Sequence, residues 1–105
     1  MGMDLRWLGR VIRERRGALN MTQPELADRA GVSLAYVSML EAGGLPEPGL
    51  DALTLVARAL GLARLVSLLE EVGELRSQDG GVPQSVLENA VADAVTQFLT
   101  EARAA

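Results

Sequence analysis

Residues 22–43 read TQPELADRAGVSLAYVSMLEAG, and this stretch decides the fold. Thr22 and Glu25 have the T-x-x-E spacing of a capping box, which predicts that a helix begins directly after Thr22. Gly31 can adopt the left-handed backbone of a tight turn, and Ser33 is a preferred N-cap for a second helix. The stretch therefore predicts two short helices joined by one glycine-containing turn.

The apolar residues of this stretch are spaced so that its two helices can pack at a steep angle. Ala27 is small enough to lie where the helices come closest, and Val32 can fill the junction between them. The contact itself is predicted to consist of Leu26, Ala30, Val37 and Leu40. Because so many positions are specified at fixed offsets, the pattern is more specific than a single glycine motif.

Further helices are predicted on both sides of this pair from the helical spacing of apolar residues. The first covers residues 4–18, and Asn20 closes it. Its apolar stripe consists of Leu5, Leu8, Ile12 and Leu19. Later helices are predicted over residues 50–60, over residues 62–77, and from Pro83 or Ser85 to about Arg103. The fold class is therefore all-α, a five-helix domain with an additional C-terminal helix.

The composition excludes several classes of function. The 105 residues include neither cysteine nor histidine, so disulfides, thiolate metal sites, the usual zinc ligands and the commonest general base are missing. No pair of carboxylates is marked out by its spacing or by a neighbouring nucleophile. We therefore expect a protein that is not an enzyme and that needs neither a metal nor a cofactor.

The hydropathy pattern indicates no interaction with a membrane. The chain has no apolar run long enough to cross a bilayer, and its N-terminus lacks the apolar region of a signal peptide. We therefore expect a cytoplasmic protein.

The net charge of −4 is unevenly distributed along the chain. Residues 1–61 hold seven basic and seven acidic side chains, whereas residues 62–105 hold three basic and seven acidic ones. The acidic excess therefore lies in the C-terminal part. An anionic partner is expected to bind the N-terminal part.

Residues 5–61 resemble the Cro/repressor-type (XRE-like) helix-turn-helix family. The matching pieces are Leu8-Gly9 with Ile12-Arg13, Thr22-Gln23-Pro24-Glu25-Leu26-Ala27, Ala30-Gly31-Val32-Ser33, Tyr36-Val37-Ser38 with Leu40-Glu41, and the series Leu50, Leu53, Val56-Ala57 and Ala59-Leu60-Gly61. The resemblance implies a sequence-specific transcriptional regulator on the nucleoid, more often a repressor, that acts as a homodimer. Helix 33–42 would enter the major groove of double-stranded DNA at a two-fold-related operator.

The resemblance also implies roles for individual residues. Gln23 would contact a phosphate or brace the third helix, and the free N–H groups of the second helix would add to a phosphate site. Tyr36 would reach the DNA backbone or a base edge, while Arg13 and Arg16 would reach phosphate or pair with Glu41. The full set of predicted DNA-binding residues is Arg13, Arg16, Gln23, Ser33, Leu34, Ala35, Tyr36, Ser38 and Met39.

The exposed positions of the third helix depart from the family pattern. Family members usually offer Arg, Lys, Gln or Asn there, whereas this chain has Leu34, Ala35 and Met39. Gly44 and Leu45 follow where a basic residue is usual. Base readout is therefore expected to rest on polar groups of Ser33, Tyr36 and Ser38, aided by contact of Leu34 or Ala35 with a thymine methyl.

The apolar residues of the third helix leave a second interpretation open. In it the same fold is a protein-interaction module, similar to an antitoxin, and its main partner is another protein. That partner would contact Leu34 and Met39 or the acidic C-terminal part, because exposed apolar patches often mark interaction sites.

Residues 1–61 are predicted to form the DNA-binding domain and residues 62–105 a helical extension, with a linker over residues 77–82. The apolar stripe of the last helix includes Leu87, Val91, Val95, Phe98 and Leu99. We expect this stripe to pair with the same helix of a second subunit, because five helices can already close a domain and two-fold symmetry suits DNA half-sites. The alternative is that the helix folds back on its own domain.

Overall fold

The fold consists of helices joined by short connections. The computed structural model describes residues 4–77 and 81–104, with side chains up to residue 102. Its helices are α1 (Leu5–Ala18), α2 (Gln23–Ala30), α3 (Leu34–Ala42), α4 (Leu50–Ala59), α5 (Ala63–Arg76) and α6 (Gln84–Ala104). The described residues contain no strand, and the all-α prediction is confirmed.

Local capping determines where the two helices of the central pair begin and end. The N–H of Glu25 donates to Oγ1 of Thr22 at 3.2 Å, and the N–H of Thr22 donates to Oε1 of Glu25 at 3.1 Å, which completes the predicted capping box. Gly31 ends α2 with a φ of 74°. The hydroxyl of Ser33 then caps α3 by accepting from the N–H of Tyr36 at 3.0 Å.

The central pair is enclosed by the helices around it. α3 packs against α2 and α1, and α4 packs against α2 and α5. The residues predicted to join α2 to α3 are all buried, namely Leu26, Ala30, Val37 and Leu40. They belong to one hydrophobic core to which all six helices contribute.

Gly9 is the point of closest approach between α1 and α3. A Cβ atom at this position would lie 2.5 Å from the carbonyl oxygen of Glu41 and 2.6 Å from that of Leu40. Both neighbours are backbone atoms, so no side-chain rotation could relieve the contact. A residue without a side chain is therefore needed for α1 to pack this closely on the C-terminal half of α3.

The end of α1 differs from the prediction. Leu19 was expected to extend the apolar stripe, but its side chain is 39% exposed, so that expectation is wrong. The helix ends at Ala18. Leu19 caps it, because the N–H of Leu19 donates to the carbonyl oxygens of Arg15 and Arg16. Asn20 then takes a left-handed φ of 55°, as predicted. The chain therefore turns before Leu19 can lie over the buried face.

The apolar stripe of α6 is buried within its own chain. The buried residues of α6 are Leu87, Val91, Ala94, Val95, Phe98 and Leu99. α6 packs mainly on α5, whose own buried face consists of Leu65, Leu68, Leu69 and Val72. The expectation that five helices leave this stripe without a local partner is wrong, because α6 packs on α5 of its own chain.

Two other expectations concern the linker and the absence of a membrane-spanning helix. The predicted linker over residues 77–82 falls partly on residues 78–80, which lie outside the described residues. Within the described ranges, no helix combines the length and the apolar character needed to cross a bilayer.

Candidate nucleic-acid interface

The outward face of α3 is apolar except for one hydroxyl. Leu34 is 48% exposed and Met39 is 45% exposed, and Ala35 and Ser38 are exposed beside them. The only charged residue of α3 is Glu41, which is turned away from solvent. This face can therefore offer aliphatic contacts and the hydroxyl of Ser38 to a partner.

The carboxylate of Glu41 joins α1, α2 and α3. Arg16 donates to it through Nε at 2.6 Å and through Nη2 at 2.9 Å, and Nε2 of Gln23 donates to it at 3.0 Å. The side chains of Arg16 and Glu41 are only 16% and 4% exposed. Arg16 also donates from Nη1 to the carbonyl oxygen of Met21 at 2.8 Å. Of the roles open to Arg16 and Gln23, the contacts favour bracing of α3 over phosphate binding.

These hydrogen bonds determine the charge state of Glu41. Burial by itself raises the pKa of Glu41, but the hydrogen bonds from Arg16 and Gln23, together with the charges of Arg16 and Arg13, outweigh burial and lower the pKa below its usual value. Glu41 is therefore ionised at neutral pH, and its negative charge is compensated by Arg16.

Arg13 stands at the edge of an open cleft beside α3. The cleft is lined by Arg13, Arg16, Gln23, Ser38, Glu41 and Ala42. Arg13 is exposed and makes no hydrogen bond or ion pair with any other described residue. Since Arg16 neutralises Glu41, the charge of Arg13 gives the cleft a positive balance. Of the two predicted arginines, Arg13 is therefore the one whose guanidinium is not engaged with another described residue.

The N-terminus of α2 has fewer free donors than expected. The N–H of Glu25 is bound by Thr22, and Pro24 has none. Glu25 also places a negative charge in the first turn. Among the first three residues of α2, only Gln23 therefore has a backbone N–H that makes no hydrogen bond with another described residue.

Tyr36 faces the connection between α3 and α4. Its hydroxyl donates to the carbonyl oxygen of Pro48, and burial raises the pKa of Tyr36 above its ordinary value. The ring is half-buried against the core. Its hydroxyl therefore holds the loop between α3 and α4, and it is not presented beside Ser38 in the cleft.

We expect Tyr36→Phe to lower the free energy of unfolding by about 1 kcal/mol, because the carbonyl of Pro48 loses its hydrogen-bond donor while the ring stays in place. Urea unfolding followed by circular dichroism measures the change. Ser38→Ala is the control, since this exposed residue on the same helix makes no hydrogen bond among the described residues through its side chain. Equal unfolding midpoints for the two variants would contradict the structural role of the hydroxyl.

Three side chains of α1 have structural partners that were not predicted from the sequence. The guanidinium of Arg10 lies 5.8 Å from the ring centroid of Trp7, within the range of a cation–π contact. Nε of Arg15 donates to the carbonyl oxygen of Leu60 at the end of α4, at 2.7 Å. The spacing of Trp7 and Arg10 was a usable signal, whereas nothing local indicates the contact between Arg15 and Leu60.

Comparison with known proteins identifies the family of this chain. A family model described as helix-turn-helix matches residues 12–65, which is more than half of the chain. Searches against curated proteins and against solved structures gave no match. The matched residues contain α2, α3 and α4 entirely, including the capping box and the outward face of α3. The chain therefore belongs to the Cro/repressor-type (XRE-like) helix-turn-helix family.

Proposed function

We propose that this protein is a sequence-specific transcriptional repressor that inserts α3 into the major groove of DNA. The observation that carries the proposal is the position of α3. Its inner side is held by Arg16, Gln23 and the core, while its outer side is exposed next to Arg13. A helix that is fixed on one side and free on the other suits the second helix of a helix-turn-helix motif.

The contacts to DNA divide into two kinds. Arg13 and the N–H of Gln23 lie beside α3 and would contact the phosphate backbone, which positions the protein without reading sequence. Leu34, Ala35 and Ser38 would face the base edges, with Met39 at their border. The negative net charge is compatible with this arrangement, because the acidic excess belongs to residues 62–105.

Two copies would bind the two halves of a two-fold-related operator. Recognition by one short helix covers few base pairs, and a second copy doubles the number of contacts. The residues predicted to form the dimer are buried within their own chain, so they would meet a second copy only if α6 were exchanged between chains. Sedimentation of the full chain, free and bound to an operator duplex, tests the number of copies.

The experiment that tests DNA binding is selection from a pool of random duplexes, followed by titration of the enriched duplex at several salt concentrations. We expect one class of sequence to be enriched. Arg13→Ala should weaken binding to all duplexes alike and reduce the salt slope by about one. Arg58→Ala is the matched control, because Arg58 is exposed on α4 and pairs with Glu70 of α5. A pool without enrichment contradicts the proposal.

A second candidate function is the binding of another protein through the same face. The exposed side chains of Leu34 and Met39 favour it, since large apolar groups at a surface often mark a protein contact. Binding of this kind depends weakly on salt, whereas a complex anchored on phosphate weakens steeply as salt rises. The salt titration therefore distinguishes the two functions.

A further inference from the structure

Three of the long polar side chains on or beside α3 are already engaged in the fold. The amide of Gln23 and the guanidinium of Arg16 are bound to Glu41, and the hydroxyl of Tyr36 is bound to the carbonyl of Pro48. Arg13 lies on α1 at the edge of the cleft, and the proposed function assigns it to a phosphate. The usual bidentate pairing of Arg, Gln or Asn with a base edge is therefore not offered by α3.

The side chains that α3 can present to a base edge are mostly aliphatic. Leu34 and Met39 are the most exposed large apolar side chains of the described residues, and Ala35 lies next to Leu34 on the same helix. An aliphatic group placed against a hydrogen-bonding group of a base removes water from that group without replacing its partner, which is unfavourable. An aliphatic side chain makes a favourable contact only with an apolar group of the base.

The major groove presents one such group, the methyl on C5 of thymine. 5-Methylcytosine carries the same methyl on the same ring carbon and differs from thymine in the groove by an amino donor in place of a carbonyl acceptor. Leu34, Ala35 and Met39 cannot distinguish the donor from the acceptor, and the hydroxyl of Ser38 can pair with either.

We propose that α3 is a reader of pyrimidine C5-methyl groups, for which thymine and 5-methylcytosine are equivalent at the contacted positions. The inference rests on the proposed DNA-binding function and specifies which chemical feature of the operator is recognised. It also makes binding sensitive to cytosine methylation, since an unmethylated cytosine at the same position lacks the recognised group.

The test makes two comparisons, thymine with deoxyuridine and 5-methylcytosine with cytosine. In each comparison the two bases differ only by this methyl group. In the duplex enriched from the random pool, each thymine is replaced in turn by deoxyuridine, and each T·A pair is replaced by C·G or by 5-methyl-C·G. We expect a loss of about threefold to fourfold per methyl group removed, as burial of one methyl-sized group predicts. The loss should occur at the same positions for deoxyuridine against thymine and for cytosine against 5-methylcytosine.

Two variants test whether the effect of the methyl group on affinity arises from α3. Leu34→Ala should reduce the difference between thymine and deoxyuridine at the positions that Leu34 contacts, and leave the other positions unchanged. Leu55→Ala is the control, because Leu55 is a leucine of α4 with a comparable exposure of 39%. Both positions are exposed, and circular dichroism verifies that each variant keeps its helices.

The outcomes separate the inference from the function on which it rests. If a duplex is enriched but removal of the methyl group changes affinity at no position, the inference is overturned and DNA binding stands. A loss with deoxyuridine that unmethylated cytosine does not reproduce relative to 5-methylcytosine also overturns it, because recognition would then require the carbonyl of thymine as well as its methyl group. A pool that enriches no duplex overturns both.

Discussion

Gly9→Ala is expected to lower the free energy of unfolding by about 3 kcal/mol, the upper end of the range for overpacking. The new Cβ would lie within 3 Å of three backbone atoms at the C-terminal half of α3, the nearest being the carbonyl oxygen of Glu41 at 2.5 Å. Backbone atoms in a helix cannot rotate away. α1 must therefore move off α3, and it loses contact along its buried face.

Gly17→Ala is the matched control for this prediction. Gly17 lies in the same helix, and a Cβ at its position meets nothing within 4 Å. There the substitution should stabilise the protein by about 0.5 to 1 kcal/mol, because alanine has the better helix propensity. Urea unfolding of both variants measures the contrast. If both variants change the midpoint in the same direction, the packing argument for Gly9 is wrong.

Arg16→Ala is expected to cost about 2 to 3 kcal/mol at neutral pH. Removing one partner of a buried ion pair leaves the other as an uncompensated charge. Here the carboxylate of Glu41, 4% exposed, would keep only the hydrogen bond from Gln23. The carbonyl of Met21 would also lose its donor. The partial exposure of Arg16 places the expected cost below that of a fully buried pair.

The pH dependence of this cost has a definite sign. The pKa of Glu41 is lower in the folded chain than in the unfolded chain, so the pair stabilises the fold above the unfolded value, near 4.3. That contribution is lost as the pH falls through the lower, folded value. The difference in stability between the wild type and Arg16→Ala should therefore shrink as the pH is lowered from 7 through this range.

An exposed ion pair supplies the control for Arg16. Arg64 donates to Glu101 at 2.9 Å, but both side chains are largely in water. Arg64→Ala should change the unfolding midpoint little, because exposed pairs contribute little to stability. Equal effects of the two substitutions, or an effect of Arg16→Ala that does not vary with pH, would contradict the role assigned to Glu41.

The parts of the fold that depend on neighbouring residues could be predicted from the sequence. The caps at Thr22 and Ser33, the turn at Gly31 and the contact of α2 with α3 all follow from offsets of a few positions. For the same reason Leu34, Ala35, Ser38 and Met39 were identified correctly as exposed, whereas Tyr36, also expected to face outward, is half-buried. These features are determined by backbone hydrogen bonding and by helical periodicity.

Contacts between distant segments could not be predicted in the same way. The hydroxyl of Tyr36 reaches Pro48 only because the loop between α3 and α4 folds over it, and no spacing rule describes that loop. The spacing of the apolar residues in α6 predicts that this helix has an apolar face, but it does not predict which helix covers that face. Its partner is α5, whose apolar residues already seemed accounted for by the five-helix domain.

The network of Arg16, Gln23 and Glu41 also has a consequence for changing what the protein recognises. All of its bonds lie on the inner side of α3, so none of them involves Leu34, Ala35, Ser38 or Met39. These four positions, which we propose to face the base edges, can be randomised together while the hydrogen bonds that hold the helix are kept. The chain is thus a suitable scaffold for a combinatorial library in which new target sequences are selected without redesigning the remainder of the molecule.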